Sequence, residues 1–452
     1  MTLTATFRTR LANIDAAVLR GSGPEAAELR RSLLEGSRIA VIEPGYVSKR
    51  FVYERAAALG VELVLVGDSR SWARTLVDEG VAARFLGADP SGEPGPAADA
   101  VLAALGDEAN LLDGVVTFWE DAVPAAARIA AALGLPGIPP AAADSARSKL
   151  QTLEASRDAG LPTPRFMELD DASSLRDAAR HVGFPAVIKP VFGAEALGCL
   201  RVDDVQSLEA GYARVAALIT PELNAIFRQG CDLLLEEYLD GTEFDVDILL
   251  SGGECVFSAV SENWPTDEPY FVETGMHSPS AHAPDRLEAM TELCVRTALA
   301  LGLRDGVLHA EAKDTSRGPR LLEINARLGG GVIAEIHRLV TGIDLVEQQF
   351  LVAVGLPVAP AAYPFPACGV ATVFLHASRS GTLGHRRFFD HLADDPCVIQ
   401  REVPVGAGEE VTAAADGFPT VIGELTVRAG DVAEARARAQ AIVDALRIPY
   451  DG

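Results

Sequence analysis

The segment Leu321-Leu-Glu-Ile-Asn-Ala-Arg-Leu-Gly-Gly-Gly331 decides how this chain is read. Alternate residues of a β-strand share a face, so Glu323 and Asn325 project together and offer a carboxylate and an amide, hard oxygen donors suited to Mg²⁺. Arg327 follows on the same face if the strand persists. The glycines that end the segment, Gly330 and Gly331 among them, let backbone N–H groups approach a bound anion. Upstream, Leu308-His-Ala-Glu-Ala-Lys-Asp314 reads as a neighbouring antiparallel strand, so Glu311 can bring a second carboxylate to the same ion. His309, two residues earlier, shares its face and can support a ligand from behind. Two carboxylates and an amide beside an arginine make a metal–phosphate site rather than a hairpin with a solvated polar face.

Working outward, Phe184-Pro-Ala-Val-Ile-Lys-Pro190 places Lys189 at the end of an apolar strand. Val191-Phe-Gly-Ala-Glu-Ala-Leu-Gly198 then supplies a loop bounded by Gly193 and Gly198. A lysine emerging from a strand beside a mobile loop is suited to gripping and covering a triphosphate. Lys149, at a helix start, is a second such cation. Leu235-Glu-Glu-Tyr-Leu-Asp-Gly-Thr-Glu-Phe-Asp245 is strand, turn and strand, whose carboxylates Glu236, Glu237 and Glu243 can accept from ribose hydroxyls. Taken alone it is an acidic hinge. Residues 243–250 alternate acidic with apolar, the pattern of a half-exposed antiparallel strand. Ser261 to Pro284 reads as a loop that can line a substrate pocket. In it, Glu273 is a carboxylate partner for an α-ammonium, and His277 can orient a carboxylate or accept a proton from an attacking amine. A loop histidine is equally a packing residue. His337 and Arg338 read as structural.

Before this region, Arg38-Ile-Ala-Val-Ile42, Val61-Glu-Leu-Val-Leu-Val66 and Gly114-Val-Val-Thr-Phe118 alternate with helical patterns behind a polar helical leader. That is a doubly wound parallel α/β domain. Its first turn lacks the GxGxxG fingerprint of dinucleotide binding. Proline clusters at Leu135–Pro140 and Leu356–Pro366 divide the chain into residues 1–140, 141–355 and 356–452, with a mobile lobe at about 165–238. A long helix is expected from about Gly331. The 452 residues carry 64 acidic and 39 basic side chains, a net charge of −25. Such a field disfavours nucleic acid and anionic membranes as partners, whereas a few lysines and a divalent cation still neutralise a nucleotide locally. No run approaches eighteen apolar residues. Six scattered cysteines without a CxxC pair read as free, mostly buried thiols of a cytoplasmic protein.

These segments, in this order and spacing, resemble the ATP-grasp superfamily over about residues 1–450. The resemblance implies an α/β and α+β protein. An N-terminal doubly wound α/β domain is followed by a two-lobed ATP-binding core and a small C-terminal α+β lobe. It implies that Lys149, Lys189, Glu236, Leu239 and Glu243 hold ATP, the last as ribose acceptor, and that Glu311, Glu323 and Asn325 hold Mg²⁺, as two ions that Mn²⁺ can replace. The phosphate-covering loop fits less well, because Glu195 lies within it. Phe271-Val-Glu-Thr-Gly-Met-His-Ser-Pro279, with the glycine-ended strand, is most similar to the L-amino-acid ligases that make dipeptides. The implied reaction is ATP-driven amide formation between two amino acids through an acyl phosphate. Arg327 then serves the transferred phosphate and the oxyanion, and a homodimer forms through the N-terminal domain. The alternatives are a carboxylate–amine ligase of purine-type or secondary metabolism, a biotin-type carboxylase and a nucleotide-binding regulatory protein without turnover. Gly331 sits where a bulky side chain would protrude towards the first substrate. Gly331→Trp should therefore abolish product formation with large first substrates while sparing small ones, and unchanged activity with large ones would refute that placement.

Overall fold

Near-continuous runs such as Ile39–Ile42 and Leu63–Val66 are fully buried, as strands covered on both faces must be. They belong to a four-stranded parallel sheet of β1 (Arg38–Ile42), β2 (Glu62–Gly67), β3 (Arg84–Gly87) and β4 (Gly114–Val116), in the order β3-β2-β1-β4. The strand order reverses between β1 and β4, so the loops after these two strands open at a topological switch point. The computed structural model describes residues 14, 16–169, 174–222 and 225–451. Most of the expected N-terminal leader lies outside the described residues.

A second, antiparallel sheet of β5 (Phe166–Leu169), β6 (Ala186–Pro190), β7 (Leu200–Val202) and β8 (Leu233–Glu237) runs in the order β5-β8-β6-β7. Helices Leu175–Val182 and Val205–Leu218 close one face of it through Ala178, Val182, Leu208 and Val215, packed on Ile188 and Leu235. Asp204 starts the second of these helices with a reciprocal capping box to Ser207.

The third sheet carries the site. Its strands are β9 (Thr242–Ser251), β10 (Glu254–Asn263), β11 (Gly275–Ser278), β12 (Gly306–Thr315), β13 (Gly318–Asn325), β14 (Gly369–His376), β16 (Val398–Glu402) and β18 (Val421–Ala429), ordered β13-β12-β9-β10-β11-β14-β18-β16. The C-terminal region thus extends the sheet of the core. The short strands β15 (Gly381–Leu383), β17 (Glu410–Val411) and β19 (Tyr450–Asp451) pair beside it. On one face, helix Pro284–Ala300 buries Leu293, Cys294 and Ala298 against Val246, Ile248, Leu308, Ala310 and Ala312. By the two-residue period, Asp245, Asp247, His309 and Glu311 occupy the opposite face.

Three expectations are corrected. The carboxylates of β9 are buried rather than half-exposed, with Asp245 and Asp247 at 3% and 0% exposure. The long helix is two helices, Ile333–Thr341 and Leu345–Ala353, because Gly342 takes the left-handed conformation at φ 80° and Asp344 caps a new start. Of the six free thiols only Cys294 is buried, while Cys231 and Cys255 are exposed.

Gly241, in the turn between β8 and β9, has φ +88°, and a Cβ there would stand 2.1 Å from the Asp314 carbonyl oxygen. Gly241→Ala should lower unfolding stability by about 2–4 kcal/mol in a denaturant titration, combining left-handed strain with a backbone clash.

Candidate active site

The register of β12 assembles the acidic groups. Glu311 lies opposite Glu323 of β13 on one side and opposite Asp245 of β9 on the other, while His309 lies opposite Asn325 and Asp247. Like charges facing each other across strands destabilise a sheet unless they are neutralised. Lys149 does so at one end: its Nζ is 2.6 Å from Glu323 Oε2. The Asn325 Nδ2 donates to Glu323 Oε1 at 2.8 Å. Burial would raise the Glu323 carboxyl, but Lys149 and the Asn325 amide outweigh it and hold the group down at about 2. The adjacent carboxylates of Glu311 and Glu323, the second already drawing the Lys149 ammonium, with the Asn325 amide beside them, fit the oxygen donor set that Mg²⁺ requires.

Lys149 is the first residue of helix Lys149–Asp158, whose N-cap Ser148 accepts from the Gln151 N–H. Its Nζ also donates to the Gly193 carbonyl at 3.0 Å, tying the core to the loop of the second sheet. Lys189 ends β6 at 6% exposure and pairs with Glu236 Oε2 at 2.6 Å. Burial opposes the Lys189 ammonium, yet the Glu236 carboxylate more than compensates and raises it. One cleft between the second and third sheets is lined by Lys149, Lys189, Glu236, Leu239, Glu243 and Glu323, and also by Gly193, Glu195, Glu237, Glu273 and Glu311.

Beyond the lysines the cleft becomes an acidic well. Burial and the nearby Glu311 push Glu243 up to about 7. Burial, against the pull of His309, leaves Asp245 at about 7, and Glu273 is raised well above the usual range by burial and Asp245. Asn263 Nδ2 donates to Asp245 Oδ1 at 3.0 Å. Behind the well, Asp247 accepts from His309 Nδ1 at 3.2 Å and from His337 Nε2 at 2.8 Å. Burial opposes the Asp247 charge, but the two imidazoles hold its carboxyl below the usual range. Burial likewise opposes a charge on His309, and Asp247 outweighs it and raises that imidazole well above its ordinary value. His337, read as structural, is therefore the outer anchor of this chain.

Several site residues lie elsewhere than the sequence implied. β13 ends at Asn325, so Arg327 leaves the strand face and its Nε meets Glu120 Oε2 at 2.7 Å, in the loop after β4. The Glu237 carboxylate, at the edge of the cleft lining, is held by Arg165 at 3.1 Å and Arg317 at 2.9 Å. Gly198, at φ +84°, packs against Pro190 and Ile219 as a tight turn outside the cleft lining. Gly330 has open space where a Cβ would stand, and a Cβ on Gly331, at φ +46°, would stand 3.6 Å from Glu424 Oε1.

His277 is the clearest correction. It stands opposite Glu262, which in turn stands opposite Phe244, and so occupies the sheet face opposite Asp245 and Glu311. There, 1% exposed, its Nδ1 accepts from Trp264 Nε1 at 3.1 Å, and burial lowers its basicity. The segment expected as a loop is strand β11 at this point; Glu273 precedes the strand and lines the cleft, whereas His277 lies within the strand and does not. Asp245, Asp247, Asn263, Glu120 and Lys49 were not singled out in the sequence. The acidic alternation of β9 was the visible signal for the first two.

Fold and site together define an ATP-grasp protein, and the chain belongs to that superfamily. Residues 182–335 match the ATP-grasp domain and residues 53–137 the ATP-grasp N-terminal domain. Among curated relatives it is 35% identical over 370 residues to carnosine synthase 1 of Mus musculus, covering 76% of this chain and 44% of that one. The chain thus spans under half the length of this relative. The L-amino acid ligase from Bacillus licheniformis superposes with a TM-score of 0.79 at 22% identity, over 92% of this chain and 100% of that one. Phosphoribosylglycinamide synthetase from Anaerococcus prevotii follows at 0.66 and 16%, over 92% and 100%. Among the described residues no helix is long and apolar enough to cross a membrane.

Placement of His277 on the far face has a measurable consequence. His277→Ala should cost about 1–3 kcal/mol of stability through the lost buried hydrogen bond, while nucleotide affinity, read by titration calorimetry, stays unchanged.

Proposed function

We propose that the chain is an ATP-dependent carboxylate–amine ligase that joins two amino acids into a dipeptide. The observation that carries this reading is the single cleft in which Lys149 and Lys189 face the cross-strand pair Glu311 and Glu323, with Glu273 deeper in the same cavity. Binding alone needs fewer groups. The names of the relatives, a carnosine synthase and an L-amino acid ligase, support the same class.

A carboxylate is a poor acyl donor because its oxygen is a poor leaving group, and phosphorylation corrects that. A carboxylate oxygen of the first amino acid attacks the γ-phosphorus of ATP, the bond to the β-phosphate oxygen breaks, and ADP departs. The amine of the second amino acid then attacks the acyl carbon, the carbon–oxygen bond to phosphate breaks, and the amine loses a proton. Lys149 and Lys189 grip the phosphates, Leu239 and Glu243 take the adenosine end, and the acidic well at Glu273 takes the first substrate's ammonium. Glu311, Glu323 and Asn325 would hold Mg²⁺, as two ions, which neutralise the triphosphate as charge moves. Arg327, steered by Glu120, stabilises the transferred phosphoryl and the oxyanion, a contribution of about 10² to 10³ in rate. The free thiols fit a cytoplasmic protein and the cleft fits small-molecule substrates.

The test is phosphate release from ATP and Mg²⁺ across all pairs of the twenty amino acids, with mass spectrometry of products and Glu323→Ala as control. A dipeptide mass is expected only with the intact site. Phosphate release without a dipeptide points to a non-proteinogenic acid or amine, and silence despite ATP binding defeats the ligase reading.

A further inference from the structure

The two loops that open at the switch point of the first sheet both reach the glycine-ended segment of the core. From the loop after β4, Glu120 meets Arg327. From the loop after β1, Lys49 Nζ donates to the Gly329 carbonyl at 3.1 Å. Open α/β sheets bind ligands in this crevice.

Lys49 is 7% exposed, and among the described residues it makes no ion pair. The charged groups that act on it are Arg327, which repels it, and Asp247, which is already shared by His309 and His337. Burying an ammonium without a carboxylate partner is costly. Burial and Arg327 push Lys49 down to about 7. In a chain of net charge −25, two cations, Lys49 and Arg327, thus meet at the glycine-ended segment, and among the described residues only Arg327 has a carboxylate in an ion pair, that of Glu120. Next to the carbonyl that Lys49 touches, Gly330 leaves room for a ligand. The phosphates already have Lys189 from the second sheet and Lys149 from the helix that touches its loop.

We propose that Lys49 binds the carboxylate of the amine-donating amino acid, making that substrate a free α-amino acid rather than a simple amine or amide. The assignment rests on the ligase reading. An ammonium fixed in the first domain holds the acceptor by the carboxylate on the same α-carbon as its attacking amine, and the contact of the first domain with the glycine segment sets the distance of that amine from the acyl phosphate.

The experiment compares the acceptor amino acid from the pair screen with its carboxamide, in the full chain and in Lys49→Met and Lys49→Arg. The intact protein should favour the free acid in KM by about 10- to 100-fold, the worth of a hydrogen bond to a charged group. Lys49→Met should raise KM for the free acid by that factor, leave KM for the carboxamide and for ATP in place, and keep Tm at or above that of the parent. Lys49→Arg should recover part of the preference. Equal losses for acid and carboxamide, or a rise in KM for ATP, would give Lys49 to the transferred phosphoryl instead and overturn the proposal. A lower Tm with the preference retained would make Lys49 a strut for the glycine segment and also overturn it. No product from the intact protein with either acceptor would defeat the ligase reading itself.

Discussion

Strand β12 is held between β9 and β13 in a register that sets Glu311 against Glu323 on one side and Asp245 on the other. Three carboxylates abreast on a buried face are unstable by themselves, and much of the surrounding structure answers that charge. Lys149 neutralises one end, Asn263 donates at the other, and His309 stands between them, oriented by Asp247. A slip of one residue would turn all of these groups into the apolar layer beneath helix Pro284–Ala300. The register is therefore held by the core on one face as firmly as by the charges on the other.

From this face the division of labour follows. The second sheet brings Lys189, already charged by its contact with Glu236, and a loop whose Gly193 carbonyl is tied to Lys149. The first sheet contributes no residue to the metal end. It sends Lys49 and Glu120 to the segment that follows β13, and Arg55 links it to Glu335 at 2.8 Å and Asp344 at 3.3 Å. The first sheet and the core thus meet at Arg327.

The acidic count explains the rest of the electrostatics. A chain with 25 excess negative charges has only four lysines and places all of them at internal junctions: Lys149 and Lys189 in the cleft between the second and third sheets, Lys313 beside Glu243 at 3.7 Å, and Lys49 at the domain junction. The raised carboxyls of Glu243, Asp245 and Glu273 follow from burial and from the carboxylates crowded around them.

The sequence by itself determined what depends on short spacing. Glu323 and Asn325 share a face because a strand repeats every two residues, and Lys189 ends an apolar run. The alternation of strands and helices in the first third likewise specifies a parallel sheet. Only the tertiary structure decided what depends on contacts between distant segments. Arg327 could not be placed without knowing where β13 stops and where the loop after β4 lies. His277 read as a loop residue until the pairing of β11 with β10 and β14 turned it to the far face. The alternating acids of β9 looked solvated because local pattern records which residues share a face, not what covers it. Lys49 and Glu120 carry no local signature at all, since their meaning comes from a crevice formed by strand order and closed by a segment some 200 to 280 residues away.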